Sequence, residues 1–267
     1  MNFENILPKD GPAIEEVSKY IKKYNEDIIV IKIGGSVLLN ETLFDQLIED
    51  ISILKKIGLN IVAIHGGSKN IKEKLNEAKL ESRFINGLRV TDEKIIKVVE
   101  KALIELNKDI VEKLKNKKCE AISLTAENNL IKVVPISKEL GFVGDPSKVD
   151  GSVILKKLKN KKVPVIVPMG LNNNKKFNIN ADTAAGAVAK EIRSRRLLLM
   201  TDVQGVMTKE NKLITEIYSN DVKQMIKDKT ISGGMIPKIN TCLDAVNNGV
   251  IGCVIVDGRK PHSILFE

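Results

Sequence analysis

Apolar residues in this chain follow two periods that alternate from one end to the other. Short runs such as IIVIKI (28–33), NIVAIHG (60–66), KKVPVIVPMG (161–170), RLLLMTDV (196–203) and VIGCVIVDG (250–258) are nearly continuous and rich in β-branched residues. Such runs mark strands buried on both faces. Between them the spacing turns helical, at about 42–57, 68–79, 92–115, 151–160, 219–227 and 234–248, with an alanine-rich helix opening near Asp182. A further helix is predicted over 12–26, where Pro12 leads and Ile14, Val17, Tyr20, Ile21 and Tyr24 form a stripe. Residues 82–91 read as a polar loop, 119–144 as strands and hairpins, and PHSILFE as a closing strand. The alternation predicts an α/β fold with a mostly parallel sheet covered on both faces. A lobe boundary is expected near 170–180, dividing residues 27–177 from 178–267 behind an N-terminal segment, 1–26.

Composition narrows the function more than the fold. At 267 residues the chain can form one large domain or two tightly joined lobes. It has no tryptophan and few aromatics, so Ile, Leu and Val must build the core. Cys119, Cys242 and Cys253 form no CxxC pair, which points to a reducing compartment and away from a zinc site or disulfide framework. No secretory n-region and no apolar run of membrane length occur, so a soluble, cytoplasmic protein without a membrane partner is expected. The net charge of +9 comes from lysines scattered on helical faces among glutamates. No aromatics interleave with them, so the charge reads as a solvated surface with some attraction for small anions, not as a nucleic-acid site. With two histidines and no serine at an elbow, a hydrolase triad is unsupported. His65 and His262 read as packed or hydrogen-bonded residues, and no cluster of metal ligands stands out.

Three polar clusters carry the candidate chemistry. IKIGGS (31–36) ends a strand in Lys-x-Gly-Gly, where Gly34 and Gly35 let backbone N–H groups approach a phosphate and Lys32 adds positive charge. IHGGS (64–68) repeats the arrangement at the start of a helix, another natural anion cradle. Each alone is also what a plain strand–helix turn needs; adjacent parallel strands would bring both to one sheet edge. NINADTAAGAVA (178–189) offers amide donors from Asn178 and Asn180, then Asp182 where the helix should begin. ISGGMIPK (231–238) supplies a second lysine, Lys238. Arg89, in the polar stretch NGLRVTD, suits a bidentate grip on a carboxylate.

In order along the chain, KIGGS, HGGS, NGLRVTD, GFVGD, NINADTAAGA, LMTDVQGV, SGGMIPK and DGRKPHS resemble the motifs of the N-acetylglutamate kinases, a branch of the amino-acid kinase family. The likeness runs over about residues 13–267. It implies a three-layer αβα sandwich, an amino-acid-binding lobe (27–177), a nucleotide-binding lobe (178–267), and ATP-dependent phosphorylation of the γ-carboxylate of N-acetyl-L-glutamate. The same resemblance implies that Lys32 and Lys238 neutralise the transferred phosphoryl group and the leaving ADP, held by Asp182. Gly34 and Gly35 would approach the phosphoryl group. Gly67, Ser68, Arg89 and Asn178 would bind the acyl amino acid, and Asp202, Val203, Gly205, Val206, Thr230 and Ser232 would line the nucleotide site. Mg²⁺ would be carried by nucleotide phosphates and water, with no protein metal cage. A homodimer is implied, or a hexamer of three dimers joined through 12–26, and a PII-type protein is a candidate regulator.

Three departures stand out. HGGS replaces three glycines, TAENN (125–129) replaces a glycine-rich turn, and relatives usually continue beyond the point matching Glu267 through a Gly-x-Gly-Thr segment. Either the chain is cut short or it lacks that edge; the same segment helps form the arginine feedback site of inhibited members, so the resemblance does not by itself carry arginine inhibition to this chain, although the 12–26 helix resembles the one that joins arginine-sensitive hexamers. Two other readings compete: a kinase for glutamate or aminoadipate attached to an acidic carrier protein, and a non-catalytic ligand sensor.

Overall fold

A computed structural model describes residues 7–13, 15, 19, 24 and 26–267. Most of the predicted helix over 12–26 therefore lies outside the described residues. The elements are β1 (Ile28–Ile33), α1 (Gly35–Leu38), α2 (Glu41–Lys56), β2 (Asn60–His65), α3 (Ser68–Glu77), β3 (Phe84–Ile85), β4 (Leu88–Arg89) and α4 (Glu93–Asn116). There follow β5 (Ala121–Leu124), β6 (Ile131–Pro135), β7 (Gly144–Val149), α5 (Gly151–Lys159), β8 (Val163–Ile166), β9 (Met169–Asn172) and β10 (Lys175–Asn178). The chain continues through α6 (Ala181–Glu191), β11 (Arg196–Thr201), α7 (Val222–Lys227), α8 (Met235–Asn247) and β12 (Gly252–Asp257).

Six strands form an all-parallel sheet in the order β12-β11-β1-β2-β8-β5. The continuous apolar runs occupy it because helices cover both faces. Odd and even residues of β1 divide between two cores. Ile29, Ile31 and Ile33 pack with α2 and α4 residues such as Ile48, Ile51 and Ile110. Val30 packs with Ile154 of α5 and Ala184, Ala185 and Val188 of α6. This is the αβα sandwich the sequence predicts. The period of two also assigns Lys32 to the α6 side and, on β2, His65 to the α4 side.

Several local features differ from the expectations. The run 161–170, expected as one strand, divides into β8 and β9, and β9 forms a hairpin with β10 in which Asn173 and Asn174 both adopt positive φ (45° and 63°), the pair a tight hairpin turn requires. The polar loop at 82–91 contains the two-residue strands β3 and β4, paired antiparallel. PHSILFE forms a 3-10 turn at Ser263–Leu265, not a strand. Just before that turn, His262 has φ 55° and bonds the buried Asp50 at 2.6 Å, which breaks extended geometry and pins the segment to α2. TAENN is a 3-10 turn with a capping box at Thr125 and a left-handed Asn129, so the glycine's role passes to an asparagine. Cys242 on α8 and Cys253 on β12, distant in sequence terms from any CxxC motif, come together as free thiols with Sγ atoms 2.8 Å apart. No helix among the described residues is long and apolar enough to cross a membrane.

Helices α6 and α8 touch at Gly186. A Cβ there would stand 2.7 Å from Thr241 Cγ2, so only glycine permits this approach. Gly186→Ala gains up to ~1 kcal/mol of helix propensity, but overpacking against a stiff β-branched neighbour costs about 1–3 kcal/mol. A net loss is expected as a lower urea midpoint with unchanged slope; an equal or higher midpoint would show that the two helices part freely.

Candidate active site

The C-terminal ends of the parallel strands share one edge, where an open α/β sheet forms its crevice. Register brings Ile33 beside His65 and Lys32 beside Leu199, so the turns after β1, β2 and β11 adjoin. The chain builds outward from β1 to β2, β8 and β5, then returns to β1's other side with β11 and β12. Lys32 thus stands where the winding reverses.

Asp182 gathers the two lysines. Its Oδ1 lies 2.9 Å from Lys32 Nζ and its Oδ2 2.6 Å from Lys238 Nζ. The three side chains are only 10%, 14% and 19% exposed for Lys32, Asp182 and Lys238, so water screens them weakly. Asp182 does not cap its helix as expected. Asn180 is the N-cap, its side-chain oxygen accepting from the Asp182 and Thr183 N–H groups at 2.9 and 3.2 Å. That leaves Asp182 in the first turn with its carboxylate free for the lysines. Burial pushes the Asp182 carboxyl upward, but Lys32 and Lys238 outweigh it and hold the group below its ordinary value of 3.8. Burial lowers the Lys32 ammonium pKa, with Asp182 opposing and Lys238 assisting.

The two glycines after β1 are not equivalent. A Cβ on Gly34 would meet the Met200 carbonyl oxygen at 2.5 Å, so close strand packing alone demands glycine. Among the described residues nothing lies within 4 Å of a Cβ position on Gly35, which leaves it open at the start of α1.

Arg89 ends β4 and is buried, which lowers its pKa. Its guanidinium bonds the Ser82 hydroxyl, reaches the Ser68 carbonyl at 3.2 Å, and lies 4.7 Å from the Phe84 ring centroid. Among the described residues no carboxylate forms an ion pair with it. It lines a cleft with Gly67, Ser68 and Asn178, so the four residues expected to bind the acyl amino acid come together. Ser82 and Phe84 are supports that the sequence reading missed; their place in the polar loop was visible, but their contact with Arg89 depends on the β3–β4 pairing.

The remaining residues fall into two groups. Asp202 follows β11 and acts electrostatically on Lys32 and Arg259, while Val203 is exposed beside it. Gly205 has φ 140°, a region that favours glycine. Val206 is a correction of detail: its side chain is buried with Val222, Ile231 and Ile239, leaving only its backbone for a ligand. That small core brings 202–206 and 230–232 together. Thr230 is tied to Asp228 through its N–H (3.0 Å) and hydroxyl (2.7 Å), and Ser232 is exposed. No group of three or more His, Cys, Asp or Glu among the described residues could hold a metal.

Residues 27–257 match the model of the amino acid kinase family. The chain belongs to that family. It is 54% identical over 265 residues to the acetylglutamate kinase of Pelagibacter ubique, covering 98% of this chain and 92% of that protein. It is 42% identical to the acetylglutamate kinase of Jannaschia, over 96% of this chain and 90% of the relative. Among solved structures, the N-acetylglutamate synthase of Neisseria gonorrhoeae superposes with a TM-score of 0.83 at 21% identity, covering 94% of this chain. The chain spans 59% of that synthase, and at this identity the likeness speaks for the family fold alone.

Asp182 supplies a stabilising charge whose pH window follows from its lowered pKa. The contribution is fully present above pH 3.8 and disappears as pH falls through the lower folded value. Asp182→Asn should cost about 3–5 kcal/mol at pH 7, because two ammonium groups lose a buried partner. It should also lose less stability than wild type between pH 4 and pH 2. Urea unfolding at these pH values checks both, and parallel acid losses in the two proteins would count against the ion-pair account.

Proposed function

We propose that this chain catalyses transfer of the γ-phosphoryl group of MgATP to the γ-carboxylate of N-acetyl-L-glutamate, giving N-acetylglutamyl 5-phosphate and ADP in arginine biosynthesis. The observation that carries the reading is the pairing of two unlike cationic sites at one sheet edge. Lys32 and Lys238 share one carboxylate, so the cluster keeps an excess positive charge for phosphate. Arg89 is buried, pre-oriented by Ser82 and without an acid of its own among the described residues, which suits a carboxylate arriving with substrate. The names of the relatives at 54% and 42% identity support the same substrate.

The chemistry needs no general base. A free γ-carboxyl with a pKa near ~4.3 is already ionised at neutral pH. Its oxygen forms a bond to the γ-phosphorus as the bond to the bridging oxygen of ADP breaks, with ADP taking the electron pair. Repulsion between carboxylate and polyphosphate opposes the approach. In this proposal Lys32 and Lys238 offset it at the transferring group and the leaving oxygen, Asp182 holds both ammoniums, and Gly35 leaves room for the phosphoryl oxygens. Gly67, Ser68, Arg89 and Asn178 orient the acyl amino acid. The nucleotide lies along Asp202, Val203, Gly205, Val206, Thr230 and Ser232. Mg²⁺ enters as part of MgATP, since both oxygens of Asp182 are taken by lysines. The proposed assembly is a cytoplasmic homodimer, or three such dimers joined through residues 12–26.

Purified protein with free N-acetylglutamate and ATP tests the reading; turnover only with a carrier-linked amino acid, or none at all, would overturn it. Lys238→Ala should lower kcat by roughly 10²–10³-fold with substrate KM values changed far less, because its contact strengthens with developing charge. Lys238→Arg should also be slow, since a planar fork replaces a compact ammonium. Near-normal kcat in the alanine variant would remove Lys238 from the mechanism.

For Arg89→Ala, steady-state kinetics should show KM for N-acetylglutamate raised by the equivalent of about 2–5 kcal/mol, with ATP affinity little changed. Equal losses for both substrates would mark Arg89 as structural.

A further inference from the structure

Two buried polar side chains beneath the second glycine turn have no part in the chemistry above. His65 ends β2, Asn107 lies within α4, and both are fully enclosed. Asn107 Nδ2 donates to the Val165 carbonyl at 3.0 Å and meets His65 Nε2 at 3.1 Å. The orientation of the amide follows from its partner. A carbonyl can only accept, so the amide nitrogen must face Val165. Its second hydrogen then points at His65 Nε2, which must be the bare, accepting nitrogen. The ring proton therefore sits on Nδ1, 2.8 Å from the Gly66 carbonyl oxygen, and is donated to it. Burial lowers the pKa of this ring to about 4, against the opposing pull of that carbonyl, so it stays neutral at physiological pH.

The consequence falls on the next peptide. A trans peptide sets its C=O and the following N–H in opposite directions. With the Gly66 oxygen drawn onto His65, the Gly67 N–H is turned away from the ring, and Gly67 itself lines the cleft with Ser68 and Arg89. Gly66 is also held by its own N–H, which donates to the Ile33 carbonyl at 3.0 Å at the end of β1. Leu103, one turn before Asn107 on α4, closes over the loop, and a Cβ on Gly67 would come within 2.6 Å of its Cδ2. Helix α4 thus backs the glycine turn at two points, one apolar and one through the histidine.

We propose that His65, fixed as its Nδ1–H tautomer by Asn107, is a positioning residue that aims the Gly67 N–H into the cleft proposed for the acyl amino acid, where the acceptor carboxylate meets the transferring phosphoryl group. The proposal rests on the kinase reading above and adds a group to it that never touches substrate. A backbone donor held this way needs no reorganisation as charge develops, which is where such donors contribute to rate.

His65→Leu removes the donor, and a misdirected N–H should lower kcat by about 10–10²-fold with KM for ATP within threefold of wild type. In His65→Asn the side-chain Nδ2 stands where Nδ1 stood and donates to the same carbonyl, so most of kcat should return. The smaller side chain leaves a void, so this variant should still melt below wild type. A merely structural histidine would make activity follow melting temperature in both variants. The proposal is overturned if His65→Leu keeps kcat within threefold, or if a folded His65→Asn is as slow as His65→Leu. Should His65→Leu fail to fold, ¹⁵N imidazole spectra of the wild type decide, with His262, the chain's one other histidine, told apart by a His262→Gln variant. The expected spectrum has a protonated Nδ1 and a bare Nε2, unchanged between pH 5 and 8; a protonated Nε2 overturns the proposal. Failure of the kinase reading would look different, as wild-type protein with no N-acetylglutamate turnover and an unaltered histidine spectrum.

Discussion

One carboxylate holds two ammonium groups at the edge of the sheet, and the arrangement of the surrounding elements follows from that need. Lys32 comes from the end of β1, Asp182 from the first turn of α6 and Lys238 from the first turn of α8. Desolvating three charges is expensive, and a single anion cannot neutralise two cations. The cluster is therefore a poor source of stability and a good receptor for more negative charge. Close contact of α6 with α8 at Gly186 keeps the two helix starts near enough for one Asp to serve both lysines.

Glycine serves several distinct demands around the site. At Gly34 the requirement is strand packing, since the Met200 carbonyl occupies the space of a side chain. Gly35 answers to no neighbour among the described residues, and its openness is what a ligand would use. Gly67 is crowded by Leu103, while Gly205 adopts positive φ (140°) within one segment proposed for the nucleotide and Gly233 (55°) directly after the other. A glycine-rich motif therefore bundles packing, backbone conformation and ligand access, which only neighbouring atoms can separate.

The alternation of continuous apolar runs with helical spacing was enough to read the layers of the fold, because burial on both faces leaves a strand no polar face to show. Departures came where local hydrogen bonding competes with periodicity. Asn173 and Asn174 turn a hairpin just beyond the run read as one strand, and the His262–Asp50 bond replaces an expected final strand. Asn180 takes the capping role that the motif assigned to Asp182, since an amide oxygen satisfies the N–H groups and leaves the carboxylate for the lysines. The family resemblance placed Val206 along the nucleotide site, yet its side chain completes a small core with Ile231.

The sequence by itself determined the layered α/β architecture, the chemistry available at each strand end, and the cationic character of the candidate site. These follow from periodicity, residue type and spacing, which act locally along the chain. The family resemblance had implied that Asp182 holds Lys32 and Lys238, but the tertiary structure alone decided other meetings: that Ser82 and Phe84 steady Arg89, and that Asn107 assigns the proton of His65. Each of these depends on contacts between residues far apart in the chain, brought together by strand register and helix packing. Position in sequence carries no trace of such contacts until the sheet is assembled.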